Sequence, residues 1–285
     1  MKISGHTKPY AVLGHPIGHS LSPVMHNAAF QELGWDAIYL AFDVHPDHLM
    51  EVLPAMKKMG FGGVNLTVPL KETAFHGLSR LDATAQSMRA VNTVAMSEDG
   101  LTGYNTDGQG FLKAVEEAFG CSVKGKSLFV LGAGGAGRAV ALTCTGAGVR
   151  SVALADADVE RCRKVAQEMD AQFKFTEVQI PETQEQRWAL AREADLVVQA
   201  TPVGMKMSDP SPLESEAFRS GQLAFDLIYM FPQTPFMKAA GQGGAKTANG
   251  LGMLLHQGAR AFEIWTGVKP PVDVMRKALE KVVYS

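Results

Sequence analysis

The chain has 285 residues, within the ~250–300 range where a single core usually stops growing, so two domains are expected. Its hydrophobic share of 46%, charged share of 20% and formal net charge of −2 are those of a soluble globular enzyme, and they exclude a broad electrostatic pull toward nucleic acid or a membrane surface. No apolar run reaches the ~18 residues of a spanning helix. MKISGHTKPY lacks the apolar region of a signal peptide, and Cys121, Cys144 and Cys162 show no C-x-x-C spacing, so reduced thiols and a cytoplasmic home are expected.

In chain order, YAVLG (10–14) reads as a buried strand and SPVMHNAAFQELG (22–34) as a helix ended by Gly34. AIYLAFDV (37–44) is a strand, HLMEVLPAMKKMG (48–60) a helix and GGVNLTVP (62–69) a strand. VNTVAMS (91–97) and LTGYNTD (101–107) form a hairpin across EDG, and DGQGFLKAVEEAFG (107–120) is a helix. SLFVLGAGGAGRAVALTCTGAG (127–148) reads as strand, glycine loop and helix, SVALAD (151–156) as a strand and DVERCRKVAQEM (158–169) as an amphipathic helix. QIPETQEQRW (179–188) is an exposed turn and helix start. ADLVVQATP (194–202) and GQLAFDLIY (221–229) are strands, and helices near 251–266 and 271–283 close the chain. This alternation predicts an α/β fold with parallel sheets covered on both faces.

In GHPIGHSLSPVMHN (14–27), Ser22 is placed to cap the first helix, with Pro23 at the first helical position. Ser20 is a second serine that capping does not use.

GAGGAG (132–137) fits G-x-G-x-x-G, and it follows a strand and opens a helix, the context a dinucleotide site needs. Gly132 permits the tight turn, Gly134 lets a pyrophosphate approach the backbone, and Gly137 lets the helix pack on the sheet; the helix N-terminus then faces the phosphates. Asp156 ends the next strand, where a carboxylate suits the ribose hydroxyls of NAD and repels the extra phosphate of NADP. Arg161 and Arg163 follow it. Arg161 could turn back to such a phosphate, or both arginines could lie on a solvated helix face. NAD is favoured, with NADP as the alternative.

Asn65, Thr67 and Lys71 surround a strand end, Asn92 lies in an apolar strand, and Asn105, Thr106 and Asp107 stand at a strand-to-helix junction. Singly, Asp107 reads as an N-cap, Lys71 as a solvated charge and Asn92 as a turn residue. Together they suit the carboxyl ends of strands, where open α/β sheets bind ligands. A dehydrogenase needs a proton donor at its substrate oxygen. Lys71 would carry that proton, and Asp107 would orient the hydroxyl and keep the lysine charged. His15/His19 and His45/His48 have ligand-like spacing, but Pro16 and Gly18 interrupt the first pair and the second starts a helix. No metal is expected.

The segments GHPIGHSLSPVMHN, NLTVPLK, AVNTV, GYNTDGQG, GAGGAGRA, ATPVGM, DLIY and NGLGMLLHQGA resemble, in order and nearly end to end, the shikimate dehydrogenase family. The resemblance implies reversible reduction of 3-dehydroshikimate to shikimate, on the route to chorismate and aromatic amino acids. It implies a discontinuous α/β substrate domain over about 1–108 and 250–285, and a Rossmann-like doubly wound nucleotide domain over 109–249. It puts catalysis on Lys71 and Asp107. Substrate contacts fall on Ser20, Ser22, Thr67, Asn92, Asp107, Tyr229 and Gln257. Cofactor contacts fall on Gly132, Ala133, Gly134, Gly135, Ala136 and Gly137, on Leu227 and on Gly250.

One departure stands out. NADP-dependent members carry N-R-T and a further arginine after the second nucleotide-domain strand, and here the stretch is DADVER (156–161), with Asp156 and Ala157 in the first two places and Arg161 retained. This resembles the NAD-using quinate/shikimate branch, whose enzymes work in the oxidative direction, and quinate stays open as a substrate. With shikimate as ligand, Ser20 and Ser22 at a helix N-terminus would form a clamp for its carboxylate. A non-catalytic nucleotide-binding regulator should have lost Lys71 or Asp107, and a folate dehydrogenase would want an aromatic-lined pocket. The expected partners are small molecules, not nucleic acid or membrane, and a homodimer is left open.

Overall fold

The computed structural model describes residues 3–174 and 177–285. Two compact units divide the chain: one runs to Gly110 and resumes over Leu254–Val283, and the other is Phe111–Met253.

In the first unit, β1 (Lys8–Gly14), α1 (Ser22–Glu32), β2 (Ala37–Asp43), α2 (Leu49–Lys58), β3 (Gly63–Leu66), α3 (Leu70–Gly77), α4 (Ala83–Met88), β4 (Thr93–Ser97) and β5 (Gly100–Tyr104) lead into α5 (Asp107–Phe119). The sheet order is β2-β1-β3-β4-β5. β1 is parallel to β2 and β3, whereas β3/β4 and β4/β5 are antiparallel, so the hairpin read at 91–107 is present and the sheet is mixed, not parallel throughout as the alternation predicts. The reason is local. Ser97 pairs with Gly100 across a two-residue turn, and Gly100 takes φ 130, which a glycine adopts without strain; so short a connection can only reverse the chain. The helices α3 and α4, with 8 and 6 residues, are too short to show a helical period and go unread in the sequence.

Strand alternation splits β1 between two cores. Ala11 and Leu13 pack with Leu49, Leu53, Leu66 and Leu70 from the α2–α3 side. Tyr10 points the other way, to Phe30 and to Trp265 on the penultimate helix of the chain.

The second unit contains β6 (Ser127–Leu131), α6 (Gly135–Gly146), β7 (Ser151–Ala155), α7 (Val159–Phe173), β8 (Glu177–Gln179), α8 (Gln184–Glu193), β9 (Leu196–Gln199), β10 (Leu223–Asp226), α9 (Pro235–Gln242) and β11 (Lys246–Ala248). Its six strands, ordered β11-β10-β9-β6-β7-β8, are all parallel. β6 pairs with β7 on one side and β9 on the other, so the order reverses at β6, and α/β sheets bind ligands at the carboxyl end of such a switch. The helices α10 (Leu251–Thr266) and α11 (Val272–Val283) follow, and α1 packs on α11. No helix among the described residues is long and apolar enough to cross a membrane. The α/β class read from the sequence is the class observed.

Candidate active site

Three neighbouring strands of the first unit supply one polar cluster. The chain leaves β3, turns through Thr67–Pro69 and starts α3, which carries Lys71 in its first turn. Asn92 immediately precedes β4, and Thr106 and Asp107 follow β5. Because β4 is antiparallel, its beginning lies at the edge where β3 and β5 end. Asn92 is therefore at an amino end, not at the carboxyl end that a parallel sheet would give it.

Lys71 Nζ donates to Asp107 Oδ2 at 2.7 Å. Asn92 Nδ2 donates to Asp107 Oδ1 at 2.9 Å and lies 3.3 Å from Gln257 Oε1. Asp107 does not cap α5. Its own N–H donates to Asn105 Oδ1, and the first helical bond of α5 runs from Gly110 N to Thr106 O. Its side chain is spent on the lysine and the asparagine, a charge-assisted arrangement held at both oxygens. Backbone bonds fix the frame: Val91 N donates to Lys71 O, Leu66 N to Asn92 O and Asn92 N to Tyr104 O. At Gly110 any Cβ would meet the Gln257 backbone nitrogen at 2.7 Å, so this glycine lets α5 approach the helix that carries Gln257. Thr67 sits with its methyl over Gly14.

The serines differ from expectation. Leu21, not Ser22, holds the N-cap position of α1, and no side chain caps it. Ser22 N donates to Ser20 Oγ at 3.3 Å, Pro23 has no N–H, and Val24 N donates to Leu21 O. These first amides are thus closed to an anion. What the segment offers is hydroxyl: Ser20 half-buried, and Ser22 buried beside Tyr39.

In the second unit the glycine loop has the shape a pyrophosphate requires. Gly132 has φ 101 and a Cβ there would meet the Ala200 backbone at 2.8 Å; a Cβ on Gly137 would overlap the Gly132 carbonyl oxygen. By contrast, Gly134 and Gly135 have no atom within 4 Å of a built Cβ, and Gly134 starts α6. The inner glycines serve packing and the outer ones leave room at a helix N-terminus, which fits a dinucleotide. Ala133 N and Asp158 N donate to the two oxygens of Asp156, at 2.7 and 2.9 Å. Arg161 lies 3.3 Å from Asp158 and is exposed, and Arg163 pairs with Glu160.

Leu227 N donates to Gln199 O, and a Cβ on Gly250 would overlap the Leu227 carbonyl. Tyr229 stands two residues on, half-buried, and burial raises its pKa. Asp226 anchors this segment: it accepts from Ile228 N and the Thr234 hydroxyl, and burial pushes its carboxyl up to about 6.

The structure thus joins Lys71, Asn92, Asp107 and Gln257 directly, and Ser20 with Ser22. Tyr229, Leu227, Gly250, Asp156, Arg161 and the loop 132–137 belong to the second unit. Tyr39, buried and hydrogen-bonded behind Asn92 to Asn65, which the sequence already sets at the strand end, is a site neighbour that a strand-period reading counts as core.

Comparison with known proteins agrees with this geometry. The family model described as the shikimate dehydrogenase substrate binding domain matches residues 12–94, the shikimate 5'-dehydrogenase C-terminal domain 250–280, and the saccharopine dehydrogenase NADP binding domain 128–208. A shikimate dehydrogenase (NADP(+)) from Methanopyrus kandleri is 38% identical over 98% of this chain and 97% of its own. The solved shikimate 5-dehydrogenase of Listeria monocytogenes, in complex with shikimate and NAD, is 35% identical with a TM-score of 0.89 over 98% of both chains. That of Thermus thermophilus, in complex with NADP(H) and shikimate, is 40% identical with a TM-score of 0.85 over 97% of this chain and 100% of its own. The chain belongs to the shikimate dehydrogenase family, oxidoreductases acting on a CH–OH group.

Proposed function

We propose that the chain interconverts shikimate and 3-dehydroshikimate, that NAD is its preferred nucleotide, and that Lys71 and Asp107 carry the proton. The observation that carries the reading is the 2.7 Å contact of Lys71 with Asp107, whose other oxygen Asn92 holds. The bound nicotinamide supplies the hydride acceptor or donor. In reduction the Lys71 ammonium gives a proton to the carbonyl oxygen as hydride reaches the carbon; in the oxidative direction the neutral Lys71 amine takes the hydroxyl proton as the hydride leaves, and becomes the ammonium. Asp107 favours the charged lysine and, with Asn92, orients the substrate oxygen. Ser20 and Ser22 hold the carboxylate through their hydroxyls. The first unit would bind substrate and the second nucleotide.

The preference for NAD rests on charge. Asp156 and Asp158 lie together at the end of β7, and the nearby arginines are engaged with Asp158 and Glu160. A 2′-phosphate placed there meets carboxylates before it meets a free cation. The test is a four-way assay of nucleotide reduction, with shikimate or quinate and NAD or NADP. Turnover of shikimate with kcat/KM higher for NAD is expected. Shikimate turnover with NADP only would overturn the nucleotide assignment, and quinate turnover without shikimate turnover would overturn the substrate.

A further inference from the structure

Behind the cluster runs a second line of hydrogen bonds, each group donating to the next. Tyr39 Oη donates to Asn65 Oδ1 at 2.7 Å, Asn65 Nδ2 to Thr93 Oγ1 at 3.0 Å, Thr93 Oγ1 to Asn92 Oδ1 at 2.9 Å, and Asn92 Nδ2 to Asp107 Oδ1 at 2.9 Å. Tyr39, Asn65, Thr93 and Asn92 are all buried. The direction of the line matters. An amide can present either oxygen or nitrogen to a neighbour, and the neighbour decides which. The phenol donates to Asn65 Oδ1 while Asn65 Nδ2 reaches the Asn92 carbonyl and Thr93 Oγ1; the threonine and Thr106 N both donate to Asn92 Oδ1, and the Asn92 nitrogen faces Asp107.

The protein invests in holding Tyr39. Asn27 Nδ2 donates to the Tyr39 carbonyl at 2.9 Å, and Tyr39 N donates to Asn27 Oδ1 at 2.8 Å. The His26 ring stacks on the Tyr39 ring at 4.3 Å and 14°. The two residues that end the GHPIGHSLSPVMHN stretch thus both act on this tyrosine.

We propose that Tyr39 is a positioning residue for the reaction: its hydroxyl anchors the hydrogen-bond line that runs through Asn65, Thr93 and Asn92 to Asp107, at the reacting end. The proposal rests on the shikimate reading above. Desolvation keeps the phenol protonated far into alkali, so it remains a donor.

Tyr39→Phe tests it, because the stack on His26 and the main-chain bonds to Asn27 survive. The loss of one buried hydrogen bond should lower kcat for shikimate about tenfold. The nucleotide KM should stay unchanged. The shikimate KM should change by less than kcat, since the line ends at Asp107 and not at the carboxylate-binding serines. Thr93→Val interrupts the same line downstream, so the double variant should lose no more than Thr93→Val alone. A Tyr39→Phe enzyme with wild-type kcat, a loss that lies wholly in the shikimate KM, or losses that multiply in the double variant would overturn the line. A wild-type enzyme with no shikimate turnover overturns the functional reading instead. In that event, side-chain amide resonances decide: the Asn92 signals shift in Tyr39→Phe if the line exists and stay in place if it does not.

Discussion

Lys71 Nζ and Asp107 Oδ2 lie 2.7 Å apart although 36 residues separate them in the chain, and Asn92 holds the opposite carboxylate oxygen. A surface lysine gains little from such a pair, but here the aspartate is buried and bound on both sides. Under the proposed function this pair is the proton site. Replacing Lys71 by Ala should lower kcat by about 10²–10⁴-fold, the range of a lost acid–base group, while shikimate binding remains measurable by calorimetry. A near wild-type rate in that variant would remove Lys71 from the chemistry.

The two serines should separate in kinetics. Ser20 is half-buried and its hydroxyl accepts from Ser22 N, away from the line that leads to Asp107. Ser20→Ala should therefore raise the shikimate KM several-fold and change kcat by less than about twofold. Ser22→Ala should affect both parameters, because Ser22 is buried beside Tyr39, where that line starts. Equal kcat losses in the two variants would contradict this division.

The glycine loop predicts two different failures. Gly137→Ala drives a methyl into the Gly132 carbonyl, and overpacking of that kind should cost about 3 kcal/mol or more, visible as a large fall in Tm. Gly134→Ala has empty space and φ −69, a conformation alanine adopts freely. It should fold with wild-type Tm and raise the KM for the nucleotide while leaving the KM for the acid alone. Unchanged nucleotide KM would mean that the open face of the loop is not used.

His26 should make the protein acid-sensitive. Both ring nitrogens are buried without a hydrogen-bond partner among the described residues, and burial lowers the pKa to about 3. Between pH 6.5 and 3 the unfolded histidine binds a proton that the native one refuses, so stability falls as pH falls through this window. By pH 5 the cost in the folding constant is about 30-fold. Denaturant titrations of His26→Phe should show a flatter pH dependence from about 6.5 to 5 than wild type. Parallel curves would show that another group carries the acid sensitivity.

How much of this is legible in the sequence depends on distance along the chain. The glycine loop, Asp156 and the α7 start lie in one continuous stretch, and strand, turn and helix there follow from local pattern. Lys71, Asn92 and Asp107 stand out because polar groups interrupt apolar runs. The β4–β5 hairpin shows in the sequence as two strands across EDG, whereas the antiparallel pairing of β4 with β3 does not, since a strand pattern names no partner. Ser22 has the residue type of a cap and Pro23 the type of a first helical residue, yet Leu21 takes the cap position; the cap depends on backbone geometry that residue type does not fix. Tyr39 alternates correctly for a buried strand face, and its hydroxyl gains meaning only when β2, β3 and β4 are brought together.

The reversal of β4 also creates a quiet edge. The strand runs away from Asn92 over the five residues Thr93–Ser97 and β5 returns to Asp107, so the Glu98–Asp99 turn stands roughly 15 Å from the reacting groups. A fluorophore or affinity tag joined at that turn rides on the same sheet as the active site without entering it. The hairpin is therefore a natural handle for watching or immobilising this enzyme while it works.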